Sequence, residues 1–269
     1  VKSDKAIVFV VDNAYIDYLP VALLDVWWGS DGKYPIYLIF DLSMKVESVK
    51  KIERFASDKG IDLRLTVVPQ SKVYRVDSNL ITSRKTHVSA TVYAKTLIAD
   101  LLPHQIRFAY YFDIDILVMR RFTELFNVEP AKAIAAVDHN HEKECERLTG
   151  APGAYFNTGV FIANLDVWRE IKLSEKIEKI VETRSDDLLN LDQDALFLAL
   201  HDNWQELPLI YNFYLMRFNP YLENYSGELD WNPDRIRPAI VHFAGPWKPW
   251  NGDRRANTFS TWRDRRKRL

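Results

Sequence analysis

The chain has 269 residues, enough to bury one large hydrophobic core or two small ones. Hydrophobic residues make up 47% and charged residues 27%, which excludes a disordered chain, and the formal net charge of -1 argues against a nucleic-acid binder built on an overall basic field. A single cysteine, Cys145, excludes an internal disulfide, a CxxC redox pair and a multi-thiolate zinc site.

In chain order, Ala6–Val11 reads as a short β-branched strand that stops at Asp12-Asn13. A helix is predicted from about Asp17 to Trp28, closed by Gly29, then a strand over Ile36–Phe40. Ser43–Lys59 follows as an amphipathic helix with apolar Val46, Val49, Ile52, Phe55 and Ala56, capped by Gly60. Leu63–Val68 is the third strand. The polar stretch from Pro69 to His87 has no period and fits an active-site lid or an ordinary surface loop. Helical pattern resumes over Ser89–Leu102, and a strand over Phe108–Phe112 runs into Asp113-Ile114-Asp115. Further strands are predicted at Ile134–Val137, Thr158–Asn164 and Ala239–His242. Helices are predicted from Asp166, over Ser174–Thr183 and over Asp192–Leu200. Short apolar strands alternating with helices imply an α/β fold with a parallel sheet covered on both faces. The apolar runs are too short to span a bilayer and no signal peptide is recognised, so a cytoplasmic enzyme is expected.

The predicted strands end in polar residues: Asp12 and Asn13, Asp113 and Asp115, Asp138, Asn164 and His242. Ligands of open α/β sheets bind at those carboxyl ends. Asp113-x-Asp115 supplies hard oxygen ligands suited to Mg2+ or Mn2+, with substrate phosphates filling the other positions. A D-x-D phosphohydrolase of the halo-acid-dehalogenase type would use the first Asp as nucleophile. That type wants Thr where this chain has Leu117, and it places the motif near the N-terminus. His242 is either a structural histidine or a third ligand that tilts the choice towards Mn2+. Gly245 permits close approach of backbone to a phosphate, and Lys248 suits a diphosphate as a point charge.

Five segments, in this order, resemble glycosyltransferase family 8, close in plan to bacterial lipooligosaccharide and lipopolysaccharide galactosyl- and glucosyltransferases. They are Ile7–Asp12, His87–Tyr93, Tyr111–Val118, Tyr155–Val160, and Asp192-Gln193-Asp194 with His242–Trp250. The resemblance implies a GT-A type single domain with a Rossmann-like, mostly parallel central sheet flanked by helices. It also implies a UDP-sugar donor (UDP-galactose or UDP-glucose), Mn2+ (or Mg2+) and transfer with retention to a saccharide or lipid-linked acceptor. Carried over residue by residue, Asp113, Asp115 and His242 match metal ligands, and Asp12, with Asn13 beside it, matches the uracil end of the donor. Asn157, Asp192 and Gln193 match positions around the donor sugar, Asp192 and Gln193 being the catalytic candidates. Gly245 and Lys248 match diphosphate contacts. Two departures bear on sugar recognition. Ala14 stands where the family has a nucleotide-contacting Asn, and Lys95 where it often has a donor-binding Arg, whose fork Lys cannot reproduce.

An amide such as Gln193 is a poor nucleophile, which favours front-face attack over a double displacement. Asp192 also suits a helix N-cap. Trp231 and Tyr221 are candidate acceptor-wall residues. A non-catalytic nucleotide-sugar binder or partner of another transferase, and a self-glucosylating enzyme, are the competing readings.

The near-neutral charge is a cancellation. Residues 254–269 hold seven basic residues and the single acid Asp264, a net of +6, leaving -7 on residues 1–253. The tail, with Phe259 and Trp262 interleaved, suits an anionic membrane surface at the inner face of the cytoplasmic membrane. A solvated basic terminus and an RNA-binding tail are the alternatives.

Overall fold

The computed structural model describes residues 3–72, 90–138, 140–214, 237–245, 248–251 and 257–269. Most of the aperiodic Pro69–His87 stretch, together with Tyr221, Trp231, Trp247, Arg254 and Arg255, lies outside the described residues.

A seven-stranded sheet forms the centre, in the order β3-β2-β1-β4-β7-β6-β8. β1 (Lys5–Val10), β2 (Ile36–Phe40), β3 (Leu63–Val67) and β4 (Phe108–Phe112) are parallel to one another. β7 (Phe156–Asn164) runs antiparallel to both β4 and β6 (Ile134–Asp138), and β8 (Trp204–Glu206) pairs parallel with β6. The mostly parallel, helix-flanked sheet expected from the sequence is therefore present, with β7 as the reversed strand. Alternation splits β1 between two cores: Ala6 and Val8 face one, Ile7 and Phe9 the other, and all four are fully buried. Each large side chain so buried contributes about 1.5–3 kcal/mol.

The helices are α1 (Leu19–Gly29), α2 (Val46–Asp58), α3 (Ile98–Leu101), α4 (Glu142–Thr149), α5 (Leu165–Glu170), α6 (Leu173–Arg184), α7 (Asp192–Leu200) and α8 (Asn257–Lys267). Two of them differ from the sequence expectation. Val46 begins α2 but is 60% exposed, outside the buried stripe of Ile52 and Ala56. The helix expected over Ser89–Leu102 is a 3-10 run over Ala90–Leu97 before α3. β-branched Thr96 disfavours α geometry, and its Oγ1 donates to the Tyr93 carbonyl at 2.7 Å, three residues back.

A second sheet of β5 (Ile116–Val118), β10 (Ile240–His242) and β9 (Phe213–Tyr214) leans on the first, in the order β5-β10-β9. Helix α8 packs on it. Trp262, 2% exposed, sits among Val21 of α1, Leu117 of β5 and Val241 of β10. Arg265 pairs with Asp25, a carboxylate buried in α1 that also accepts the Val118 N–H at 3.1 Å. The Trp262 ring expected at a membrane surface is thus spent inside the protein, and the described part of the basic tail is a docked helix.

Candidate active site

The two sheets meet at the D-x-D motif. Asp113 follows β4, and its N–H donates to the Gly159 carbonyl at 2.7 Å as the chain leaves the large sheet. Three residues later β5 begins in the small sheet, antiparallel to β10, with Ile116 opposite His242. The Phe243 N–H closes this corner on the Asp115 carbonyl at 2.8 Å. Register thereby brings residues far apart in sequence to one point. One ligand atom each from Asp113, Asp115 and His242 lies within 4.8 Å of the others, His242 Nε2 being 3.7 Å from Asp113 Oδ2 and 3.4 Å from Asp115 Oδ1. The ring lies against Gly159, where a Cβ would stand 2.0 Å from His242 Cε1, so only glycine fits. Two carboxylate oxygens and an imidazole nitrogen are a donor set that fits Mn2+ or Mg2+.

Two lysines hold the remaining carboxylate oxygens. Lys95 Nζ is 3.3 Å from Asp113 Oδ1 and 2.9 Å from Asp192 Oδ2, and lies 4.8 Å from the centre of the Tyr111 ring. Burial works against its charge, but Asp113 and Asp192 outweigh that and hold its pKa well above the ordinary lysine value. Lys248 Nζ pairs with Asp115 Oδ2 and donates to the Phe243 carbonyl at 3.0 Å. Burial pushes the Asp115 carboxyl up, yet Lys248 and His242 more than offset it and leave its pKa below the usual carboxylate range.

These groups line a cavity of about 500 Å³ at the carboxyl ends of β1 and β4. Asp12, Asn157, Asp192, Gln193 and Gly245 line it too. Asp12 Oδ1 accepts the N–H groups of Ala14 at 2.9 Å and Tyr15 at 3.2 Å, an Asx turn that shapes the rim, and burial raises its pKa. Gly245 has φ +86°, in the left-handed region that glycine enters freely. Gln193 Oε1 accepts from Asn157 Nδ2 at 3.0 Å and from the Thr158 N–H at 3.1 Å. Asn13 does not line the cavity. Its side chain pins the turn before α2, donating to the Ser43 carbonyl at 2.6 Å and accepting the Lys45 N–H at 2.9 Å. Asp138 likewise serves a turn, accepting the Asn140 N–H at 2.8 Å.

The glycosyl transferase family 8 model matches residues 6–254. The chain belongs to that family. It is a glycosyltransferase. General stress protein A of Bacillus subtilis is 29% identical over 269 residues, covering 96% of this chain and 90% of that protein. The lipopolysaccharide 1,2-glucosyltransferase of Escherichia coli is 26% identical over 266 residues, covering 89% of this chain and 78% of that one. Streptococcal glycosyltransferases also match, and the chain spans between 24% and 58% of their lengths. Among solved structures, the galactosyltransferase LgtC in complex with donor and acceptor sugar analogues superposes with a TM-score of 0.82 at 22% identity, over 98% of this chain and 96% of that one. The GT-A fold expected for family 8 is therefore present.

The shell around this cavity also holds residues to which the sequence assigned no role. Asn212, 2% exposed, donates to Asn157 Oδ1 at 2.7 Å and meets His242 Nδ1 at 2.9 Å. Fully buried Asp194 holds the approach to α7, accepting from the Tyr155 hydroxyl, from Arg147 Nη2 at 2.7 Å and from the Asn190 N–H at 2.9 Å. The backbone it steadies includes Leu191 at φ +50°, a strained conformation for a γ-branched side chain that turns Asp192 and Gln193 into the cavity. Tyr15, Tyr111, Tyr214 and Trp250 are the aromatic residues of the cavity lining, with Trp250 stacked on Tyr18 at 4.3 Å. In the sequence this shell was marked only by the family resemblance of the Tyr155–Val160 and Asp192-Gln193-Asp194 segments.

Proposed function

We propose that the protein transfers a hexose, galactose or glucose, from a UDP-sugar to a hydroxyl of a saccharide acceptor, with Mn2+ and with retention of anomeric configuration. The observation that carries the reading is the Asp113, Asp115 and His242 cluster, with Lys248 and Gly245 beside it, at the floor of one cavity. Asp113 Oδ2, Asp115 Oδ1 and His242 Nε2 would hold the divalent ion. Bound there, it supplies charge stabilisation to a diphosphate leaving group. Lys248 adds a point charge to the same group, and the left-handed Gly245 brings backbone close to it. Asp12 and Tyr15 form the end of the cavity suited to the uracil, and the family relationship to a lipopolysaccharide 1,2-glucosyltransferase supports a bacterial envelope glycan as acceptor.

Retention without inversion needs either a protein nucleophile or attack from the face the UDP leaves. The oxygen of Gln193 is engaged by two donors, at 3.0 and 3.1 Å, and Asp192 is paired with Lys95 at 2.9 Å. Both arrangements support front-face attack, with a phosphate oxygen of the leaving UDP accepting the acceptor's proton. Gln193 and Asp192 then position the donor sugar, and Lys95 joins them by holding both Asp113 and Asp192.

Two exposed basic residues, Lys267 at the end of α8 and Arg268 just beyond it, support peripheral attachment to an anionic membrane, each contributing on the order of 1 kcal/mol near the headgroups. Among the described residues no helix is long and apolar enough to cross a membrane. Replacing both residues by Glu reverses their charge and lowers the tail from +6 to +2 while sparing buried Trp262, so vesicle flotation of that variant reads the attachment alone.

The central test measures UDP release from UDP-galactose and UDP-glucose with Mn2+, in metal-free buffer, and for an Asp113→Ala/Asp115→Ala double variant. Release only in the first condition is the expected result. Equal release in all three would sink the metal-assisted reading.

A further inference from the structure

We infer that Asn212 is a positioning residue, fixing the His242 tautomer that presents Nε2 to the cation and, through Asn157, holding Gln193 in the same hydrogen-bonded row. The row's direction is set at one end by groups that cannot reverse. The Gly159 backbone N–H donates to Asn157 Oδ1 at 2.8 Å, and the Thr158 N–H donates to Gln193 Oε1 at 3.1 Å. Asn157 Oδ1 is therefore an acceptor, and its Nδ2 is the donor to Gln193 Oε1 at 3.0 Å. The Asn212 atom 2.7 Å from Asn157 Oδ1 must then be its NH2 group. That leaves the Asn212 carbonyl oxygen 2.9 Å from His242 Nδ1. A carbonyl only accepts, so Nδ1 carries a hydrogen, and whenever the ring is neutral its lone pair is on Nε2, the nitrogen beside Asp113 and Asp115.

Burial gives this order its force. Asn157 is 6% exposed, and Asn212 and His242 are 2% exposed, so no solvent replaces a bond that points the wrong way. Turning any one amide over sets oxygen against oxygen or lone pair against lone pair at hydrogen-bond distance. The metal-ligating nitrogen is thus prepared by two backbone N–H groups on β7, through two side-chain amides. Partners of this kind typically change metal affinity by 10–100-fold when removed.

The inference rests on the proposed cation site, and its test separates the two. The readout of the row itself is 15N NMR of the metal-free protein labelled at histidine, at mildly alkaline pH. The expected wild-type signature for His242 is a hydrogen-bearing Nδ1 and a bare Nε2. Asn212→Leu removes both bonds, and the expected result is a mixed or reversed tautomer with Mn2+ affinity, read by electron paramagnetic resonance, lower by roughly 10–100-fold. Asn212→Asp keeps an acceptor for Nδ1 but sets a carboxylate oxygen against Asn157 Oδ1. It is expected to preserve the tautomer and most of the Mn2+ affinity while lowering kcat through Gln193. Circular dichroism checks that each variant is folded. A wild-type ring bearing its hydrogen on Nε2, or an Asn212→Leu variant with unchanged tautomer and Mn2+ affinity, would overturn the inference. Failure of the wild-type protein to bind Mn2+ would overturn the metal assignment instead, since the tautomer is read without metal.

Discussion

Arg265→Ala tests whether the basic tail belongs to the folded body. The Asp25 side chain is 10% exposed and Arg265 is 31% exposed, and the two form an ion pair between α1 and α8. Removing one partner of a buried pair costs about 3–5 kcal/mol because the other charge is left uncompensated. Here Arg265 reaches partly into solvent and Asp25 keeps the Val118 N–H at 3.1 Å, so about 2–3 kcal/mol is expected. For a domain of this size that lowers the unfolding midpoint by roughly 5–10 °C. Adding Asp25→Asn to Arg265→Ala removes the orphaned charge and keeps an acceptor for Val118, so the double variant should recover more than half of the loss. The pH dependence has a definite sign. Burial raises the Asp25 pKa, with Arg265 opposing, so loss of Arg265 raises it further above the unfolded value. A carboxyl of that kind costs stability above its folded pKa, and the cost fades as protonation relieves it. The deficit of Arg265→Ala relative to wild type should therefore shrink between about pH 7.5 and about pH 4.5. Urea melts at both pH values measure it. A variant as stable as wild type at neutral pH, or a deficit that grows on acidification, would refute the reasoning.

Three further substitutions probe the site. Gly159→Ala places a methyl 2.0 Å from His242 Cε1, so Mn2+ affinity and UDP release should fall together, at least tenfold, while the far-ultraviolet circular dichroism is retained. Lys95→Met leaves the carboxylates of Asp113 and Asp192 facing each other without their cation. Loss of activity should come with a destabilisation on the order of 3 kcal/mol, read by denaturant melts. Tyr155→Phe removes the hydroxyl bonded to Asp194 and should cost about 1–2 kcal/mol. It should also lower kcat, because the turn carrying Asp192 and Gln193 loosens, and unchanged kinetics would detach that network from the site.

Strand–helix alternation was legible because β1, β2 and β4 are buried on both faces and therefore read as unbroken apolar runs. The direction of β7 was not, since hydrophobic pattern carries burial but not polarity. The acidic ends of the strands marked Asp12, Asp113 and Asp115, and His242 could be suspected once the carboxylates had been noticed. Asn212 belongs to no motif, and Tyr155 and Asp194 lie in family-like segments that assign them no role. Their meaning comes from neighbours 30, 39 and 55 residues away, which only the folded register supplies. The tail shows the same division. Its charge was plain from composition, but the burial of Trp262 depends on a surface assembled from α1, β5 and β10. Asn13 is the reverse case: a polar residue at a strand end whose partners turn out to be backbone groups of the neighbouring turn.

The proposed cation ligands come from both sheets, and this ties the tail to the proposed chemistry. Asp113 directly follows a strand of the large sheet, whereas Asp115 directly precedes β5 and His242 ends β10 of the small one. Their separation is therefore set by how the small sheet seats against the large. Trp262 packs against Leu117 and Val241, which are two residues from Asp115 and adjacent to His242, and Trp262 also meets Trp250 of the cavity wall at 5.4 Å. A helix that looks peripheral in sequence thus braces two of the three proposed metal ligands and one side of the cavity. Close-packed interiors transmit such displacements rather than absorbing them. Weakening the seat of α8 should accordingly loosen the Asp115–His242 geometry before it unfolds the large sheet, so that cation affinity declines while most of the secondary structure persists.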